Sequence, residues 1–229
     1  MNKGYSVVIP AYNAEHTLAD ALSSILAQSF PAQNIIVVDD GSDDDTAHVA
    51  HSADANITVI KQQNKGCGAA TNAGLATVKT EYCAFLDADD IWQSYKAEIQ
   101  LQMLAEHHEI SMLCAQVLTF KESFDQAELE ASSQTPVDLW GRTTMMIRTQ
   151  DALQIGDVID PIGGRGDMVD WMTRGKDLGF KYHMQNQVLA YRRIRKGSLS
   201  YGRDADKDKG YLQVIKLALE RKRAQQSRS

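Results

Sequence analysis

Residues 82–90 read YCAFLDADD. Five mostly apolar residues, Tyr82 to Leu86, have the length and character of a buried strand. Three carboxylates then arrive within four positions, at Asp87, Asp89 and Asp90. Crowded carboxylates repel one another and resist leaving water. A chain that sets them at the mouth of a buried strand therefore needs a cation or a set of donors beside them. Two readings stand at this point: a site for a divalent metal, or an acidic turn capping a helix that begins near residue 93.

Upstream, the same grammar repeats. YSVVIP (5–10) is an apolar strand ended by Pro10, and residues 14–28 place Leu18, Leu22, Ile25 and Leu26 on one helical face, with Asn13 as N-cap. NIIVVDD (34–40) is a second apolar strand, DDDTAHVAHSA a helix that is acidic in its first turn, and ITVIK (57–61) a third strand. GCGAATNAGLATVK (66–79) is a helix of small residues, able to lie close to a sheet. Apolar strands separated by short helices predict an α/β fold of βαβ units, with a mostly parallel central sheet flanked by helices in a single domain. Ligands of such sheets bind beyond the carboxyl ends of the strands. The polar groups there are AYN, DDGSDDDT, QQNKG and DADD, and they are expected to converge on one crevice.

The second half is less regular. A helix is expected over 93–107, a strand over 111–120, a polar excursion over 121–142, and a strand at TTMMIR (143–148). A glycine-rich loop, DPIGGRGD (160–167), precedes a helix over 168–179. QVLAYRRIR (187–195) reads as a strand carrying a basic cluster, residues 209–223 as a closing helix, and the tail from Ala224 as frayed. The natural division is a nucleotide-binding half, 1–120, and an acceptor and catalytic-base half, 121–229.

Composition narrows the function. The chain has 229 residues, 43% of them apolar, and a formal net charge of −6. That balance argues against a nucleic-acid partner, which needs a basic footprint. Cys67, Cys83 and Cys114 form an odd set without CxxC and read as reduced thiols of a cytoplasmic protein, not as a disulfide frame or zinc site. No apolar run approaches a membrane span, and the N-terminus has too short an apolar run for a signal peptide. RGD at 165–167 carries no adhesion reading here, and His107-His108 has no second ligand pair at metal spacing.

A dinucleotide-binding dehydrogenase would share the fold, and Asp39 or Asp40 mimics its ribose-binding acid. The first strand, however, is followed by PAYNAE and not GxGxxG, so the backbone cannot approach a pyrophosphate there. PAYNAE likewise lacks the glycine-rich basic loop of a sugar nucleotidyltransferase. A nucleotide diphosphate beside DADD needs a divalent metal between the two sets of negative charge, and hard oxygen ligands suit Mg²⁺ or Mn²⁺.

VVIPAYN with Glu15 and Leu18, SILAQSF, IIVVDDGSDDDT, the N-K-G…A-x-N-x-G run of 64–74 and FLDADD stand in the order and spacing of one family. The chain resembles the family 2 glycosyltransferases of the GT-A (Rossmann-like) fold, closely over residues 5–120 and more loosely over GDMVDWMTRGKDLG and VLAYRRIRKGSLS. The resemblance implies an inverting transferase that moves a sugar from a nucleotide diphosphate sugar, with a UDP-sugar the expected donor, to an acceptor: a glycan, a lipid-linked saccharide, a peptide or a small molecule; the lack of a membrane segment is compatible with a lipid-linked acceptor presented at a membrane surface. It further implies that Pro10, Ala11 and Tyr12 line the nucleotide pocket, Asp40 accepts from the base imide, Lys65 is a further nucleotide contact, Asp87 reaches the ribose and Asp89 holds the metal. The family's Glu-Asp pair before the helix becomes Asp167-Met168 when anchored on Asp170-Trp171. The general base is then Asp167, or else Asp170. A family His that helps hold the metal or diphosphate is replaced by Arg195, which cannot ligate a cation but can pair with diphosphate oxygens. These two departures keep a non-catalytic nucleotide-sugar binder as the rival reading.

Overall fold

A computed structural model of the chain describes residues 4–121, 123–195, 202 and 204–226. The first strand, β1 (Tyr5–Ala11), is buried at every position. It leads through α1 (Leu18–Leu26) to β2 (Asn34–Asp39), α2 (Thr46–Ala53), β3 (Ile57–Lys61), α3 (Cys67–Leu75) and β4 (Tyr82–Phe85). β1 pairs in parallel with β2 and β4, and β2 with β3. Strand order is β3-β2-β1-β4, so the chain direction of travel reverses between β1 and β4, and the crevice opens beyond their carboxyl ends.

Both faces of this sheet are covered, which is why its strands are continuously apolar. Tyr5, Val7 and Ile9 enter one core with Leu18, Leu22 and Ile25 of α1. Val8, Ile36, Val38 and Phe85 enter the other, with Ala70 and Leu75 of α3. The small residues of α3 let it approach closely: a Cβ added at Gly74 would lie 2.4 Å from Val8 Cγ1.

The remaining elements are β5 (Ile91–Trp92), α4 (Lys96–Glu106), β6 (Ile110–Phe120), α5 (Gln126–Ala131), β7 (Val137–Leu139), a 3-10 turn (Arg142–Thr144), β8 (Met146–Arg148), α6 (Thr149–Ile155), α7 (Asp167–Asp177), β9 (Lys181–Arg193) and α8 (Ala205–Gln226). The sheet continues as β4-β8-β6-β9-β5, with β7 also on β6. β8 joins antiparallel to both β4 and β6, while β6 and β9 pair in parallel along ten residues of β6. Counted by paired residues the sheet is mostly parallel, in keeping with the expectation, but antiparallel β5, β7 and β8 stitch in its second part.

Several boundaries differ from the sequence reading. The helix expected from residue 93 begins at Lys96, because Ile91 and Trp92 pair with β9. Asn13 is not the cap of α1, which begins at Leu18; it takes a left-handed conformation (φ 47) and bridges to the second loop. The excursion 121–142 holds α5, whose N-cap Asp125 accepts the Glu128 N–H at 3.0 Å, and β7. Only the end of TTMMIR is a strand; its start belongs to the 3-10 turn, and α6 follows. β9 begins at Lys181, six residues early, through a half-exposed polar stretch with register shifts. α8 runs from Ala205 to Gln226, taking in the start of the tail expected to fray. Lys196 and the SLS that follows it lie outside the described residues.

Candidate active site

The carboxyl ends of β1, β2 and β4 meet the 3-10 turn, the glycine-rich loop, α7 and α8 around a crevice of about 670 Å³. Pro10, Ala11, Tyr12, Asp40, Asp87, Asp89, Asp167 and Arg195 all line it. Lys65 and Asp170, also expected there, are not among the lining residues.

The loop after β1 and the loop after β2 are locked together. Ser42 Oγ accepts the Asn13 N–H at 3.0 Å, Asn13 Oδ1 accepts the Asp43 N–H at 3.0 Å, and Thr46 Oγ1 accepts the Ala14 N–H at 2.8 Å. Glu15 Oε2 accepts the Asp45 N–H, and Asp44 Oδ2 the Glu15 N–H. The spacing of AYNAE and DDGSDDDT is thus a mutual brace that fixes the Tyr12 ring, half exposed, at the crevice edge. Asp40 is buried and accepts three hydrogen bonds: from Gln62 Nε2 (2.7 Å), the Lys65 N–H (2.9 Å) and the Gly66 N–H (2.8 Å). A carboxylate has about four acceptor positions, so about one remains. Lys65 acts here through its backbone, holding Asp40 in place.

Each carboxylate of DADD has found its donors. Asp87 accepts from Arg142 Nε (3.0 Å), with the Thr143 hydroxyl 3.3 Å away. Asp89 pairs with Arg195 Nε at 3.4 Å. Asp90, 2% exposed, accepts the Arg193 N–H at 2.8 Å and Thr143 Oγ1 at 2.5 Å. Asp90 therefore caps no helix; it pins the end of β9 and the 3-10 turn to the β4 loop. Burial, together with Asp89 and Asp87, pushes its carboxyl well above the usual range. Burial and the Asp87 charge push Asp89 up as well, against the opposing pull of Arg195. Arg193 is itself packed, its Nε on the Asp89 carbonyl (3.1 Å), its Nη2 on Asp20 (2.7 Å) and its guanidinium over the Phe120 ring. Of the basic cluster, this arginine is a structural pin and not a solvated charge.

Opposite DADD, Asp167 opens α7 behind Gly166, whose φ of 98 turns the chain into the helix. Asp167 is buried and ion-paired to Arg142 Nη1. Arg142, 8% exposed, thus spans from Asp87 to Asp167 across the crevice floor. Its burial disfavours the charge, but Cys67, Asp167 and Asp87 around it outweigh that and raise its pKa further. The next residue, Met168, enters the core with Phe85, Trp171 and Met172. The position where the family carries its Asp is therefore a packing position here, and the carboxylate facing the crevice is Asp167. Asp170, 1% exposed, lies one turn on, held by Arg174 Nε (2.9 Å) and by Arg221 Nη1 of α8 (2.8 Å). It clamps α8 onto α7.

Two contributors escaped the sequence reading. Arg142 lies at the end of the polar excursion 121–142. Asp160, from the glycine-rich loop, accepts the Gly68 N–H (2.7 Å) and Ala69 N–H (2.8 Å) at the start of α3. The loop then runs under α8: Arg165 pairs with Asp208 at 2.6 Å, and a Cβ at Gly210 would lie 2.0 Å from the Arg165 carbonyl oxygen. Lys207 and Tyr211 of α8 complete the crevice rim.

Among the described residues, no group of three or more His, Cys, Asp or Glu side chains is arranged to hold a metal ion. Asp89, an oxygen donor on the crevice wall beside Asp87, fits a cation held by one carboxylate, substrate oxygens and water, the way Mg²⁺ is usually bound beside phosphates. No helix among the described residues is long and apolar enough to cross a membrane.

A carboxylate-walled crevice beyond the carboxyl ends of the strands, at a strand-order reversal, is where open α/β folds bind their ligands. Comparison with known proteins gives the family. The model of "Glycosyl transferase family 2" matches residues 6–187, and the chain belongs to that family: it is a glycosyltransferase. It is 32% identical over 215 residues to "Putative teichuronic acid biosynthesis glycosyltransferase TuaG" of Bacillus subtilis, covering 85% of this chain and 81% of that protein. It is 36% identical over 105 residues to the Escherichia coli "UDP-Glc:alpha-D-GlcNAc-diphosphoundecaprenol beta-1,3-glucosyltransferase WfgD", covering 45% of this chain and 42% of that one. S. aureus TarS in complex with UDP-GlcNAc superimposes with a TM-score of 0.71 at 21% identity, over 94% of this chain and 65% of that structure, which shows a shared GT-A fold. The chain spans 81% of TuaG but only 38% and 42% of the next two curated relatives.

Proposed function

We propose that the chain transfers a sugar from a UDP-sugar to a hydroxyl acceptor with inversion. The observation that carries this is the pair of carboxylate walls, DADD on one side and Asp167 on the other, spanned by Arg142. A donor whose diphosphate lies at DADD presents its anomeric carbon toward α7. The acceptor oxygen then attacks that carbon from the far side, Asp167 takes the hydroxyl proton, and the bond to the diphosphate breaks with its electron pair leaving on UDP. Asp40 has about one acceptor position left for the base imide; Pro10, Ala11 and Tyr12 border the base and ribose, and Asp87 suits the ribose diol. Mn²⁺ or Mg²⁺ at Asp89 would neutralise charge on the departing diphosphate. Arg195, beside Asp89, would add charge-assisted hydrogen bonds to the same oxygens. Asp170, the other base candidate, is disfavoured by its double clamp to Arg174 and Arg221.

UDP is favoured because TarS is solved with UDP-GlcNAc and WfgD is named for UDP-Glc. WfgD's acceptor is a diphosphoundecaprenol-linked sugar, which makes a lipid-linked glycan, met at the cytoplasmic membrane surface, the first acceptor to try. UDP with Mn²⁺ is expected to raise the melting temperature by ligand linkage, and UDP-sugars to be hydrolysed in preference to GDP- and dTDP-sugars. Asp167→Asn should keep the UDP shift and lose turnover by about 10²–10⁴-fold. No shift with any nucleotide diphosphate sinks the donor site; a shift without turnover makes the chain a nucleotide-sugar binder.

A further inference from the structure

α8 is apolar on two sides. Its inner side, with Gly210 and Val214 buried and Arg221 turned to Asp170, seats it on the glycine-rich loop and α7. Its outer side carries Leu212, Ile215 and Leu219, which are 69%, 55% and 51% exposed. These recur at intervals of three and four, so they form one stripe along the solvent face. Ile162, 65% exposed, stands beside the same helix, its N–H held by Gln213 at 2.8 Å. An aliphatic stripe left exposed on a helix that is already seated by its other side marks a surface for a partner.

The charge beside the stripe says what covers it. The chain carries a net charge of −6, yet α8 holds six lysines and arginines against three acids. Arg221 is turned inward and Lys207 lines the crevice rim, while Lys209, Lys216, Lys222 and Arg223 stand exposed. Lys209 and Lys216 pair along the helix with Asp206 and Glu220, exposed contacts that are worth little. An aliphatic stripe bordered by cations matches an anionic bilayer surface, where apolar side chains enter the headgroup boundary and lysines meet acidic lipid. A second copy fits less well: two such helices laid face to face bring like charges together.

We propose that the outer face of α8 docks on the surface of a membrane rich in anionic lipid, lying in its plane. Tyr211 and Lys207 of the same helix line the crevice, so docking sets the crevice mouth beside the headgroups. The docking surface stands apart from the donor assignment and is tested without it. The full chain is sedimented with vesicles of phosphatidylcholine, with or without about one-third phosphatidylglycerol, at about 0.1 M salt. Binding to the anionic vesicles is expected to exceed that to the neutral ones by about tenfold or more and to weaken as salt rises. L212Q/I215Q/L219Q and K216E/K222E should each reduce it by about tenfold, with far-UV circular dichroism and donor hydrolysis unchanged. Equal binding by the wild type and L212Q/I215Q/L219Q, or no binding to anionic vesicles, overturns the proposal. A dimer in sedimentation equilibrium that the same leucine and isoleucine substitutions abolish also overturns it, and assigns the face to a second copy.

Discussion

The two walls of the crevice are built by different physics. The DADD wall hangs on strands whose neighbours are set by backbone ladders, and its supporting loops brace one another through main-chain N–H groups, as at Asn13, Glu15 and Asp40. The opposite wall is a set of loops and helices held by arginines: Arg142 to Asp87 and Asp167, Arg165 to Asp208, Arg174 and Arg221 to Asp170. Ladders between adjacent strands tolerate the loss of one side chain. A buried arginine does not, because its removal leaves carboxylates facing each other without a counter-charge. The second wall is the one that point substitutions will break.

The largest effect is expected at Arg142. Arg142→Met should lower turnover by about 10²-fold or more through misplaced carboxylates, and cost about 3 kcal/mol in urea unfolding. A variant as active as wild type would remove the bridge between the walls from the account. Asp170→Asn comes next, at about 2 kcal/mol, less because the amide keeps the size of the carboxylate and an acceptor oxygen for the two arginines. The UDP-induced shift should survive in it. Full stability with lost turnover would move the base from Asp167 to Asp170. The smallest effect lies beneath the floor, at Lys96. Its Nζ donates to Gln100 Oε1 at 2.7 Å, and Gln100 Nε2 donates to the Thr144 carbonyl at 3.0 Å, under the Arg142 turn. Burial lowers the Lys96 ammonium from its ordinary 10.5 to about 7. Between those two pH values the unfolded chain holds a proton that the folded one does not, so stability rises with pH across that window and the penalty is full below it. The slope is at most about 1.4 kcal/mol per pH unit, and Lys96→Met should abolish it when unfolding is compared at pH 7 and 8.

The same division governed what could be read from the sequence. β1 to β4 announce themselves because burial on both faces forces unbroken apolar runs, and their polar ends fall together once the sheet is parallel. The early half of β9, KYHMQN, is half exposed and polar and carries no such run. α5 had a legible signal in Asp125-x-x-Glu128, a helix-start pattern lying inside a stretch read only as polar. Arg142 had none: its partners are 55 residues before and 25 after it, and no local pattern encodes so long a reach. The choice between Asp167 and Asp170 was likewise open in sequence, since both sit on one side of α7. Of that helix Asp167 lines the crevice, while Asp170 is met by Arg221 of α8.

Asp160 bears on how the chain can change. Helix N-termini in α/β folds are ready-made seats for phosphate. At α3 that seat already holds a tenant, since both Asp160 oxygens are on the first amides of the helix. A diphosphate arriving in the crevice finds those backbone donors spoken for. On the proposed donor reading, a diphosphate would turn to other groups of the crevice, Arg195 among them, and not to the α3 amides. A grip made that way would be open to retuning one side chain at a time, unlike one written into the main chain of a glycine loop.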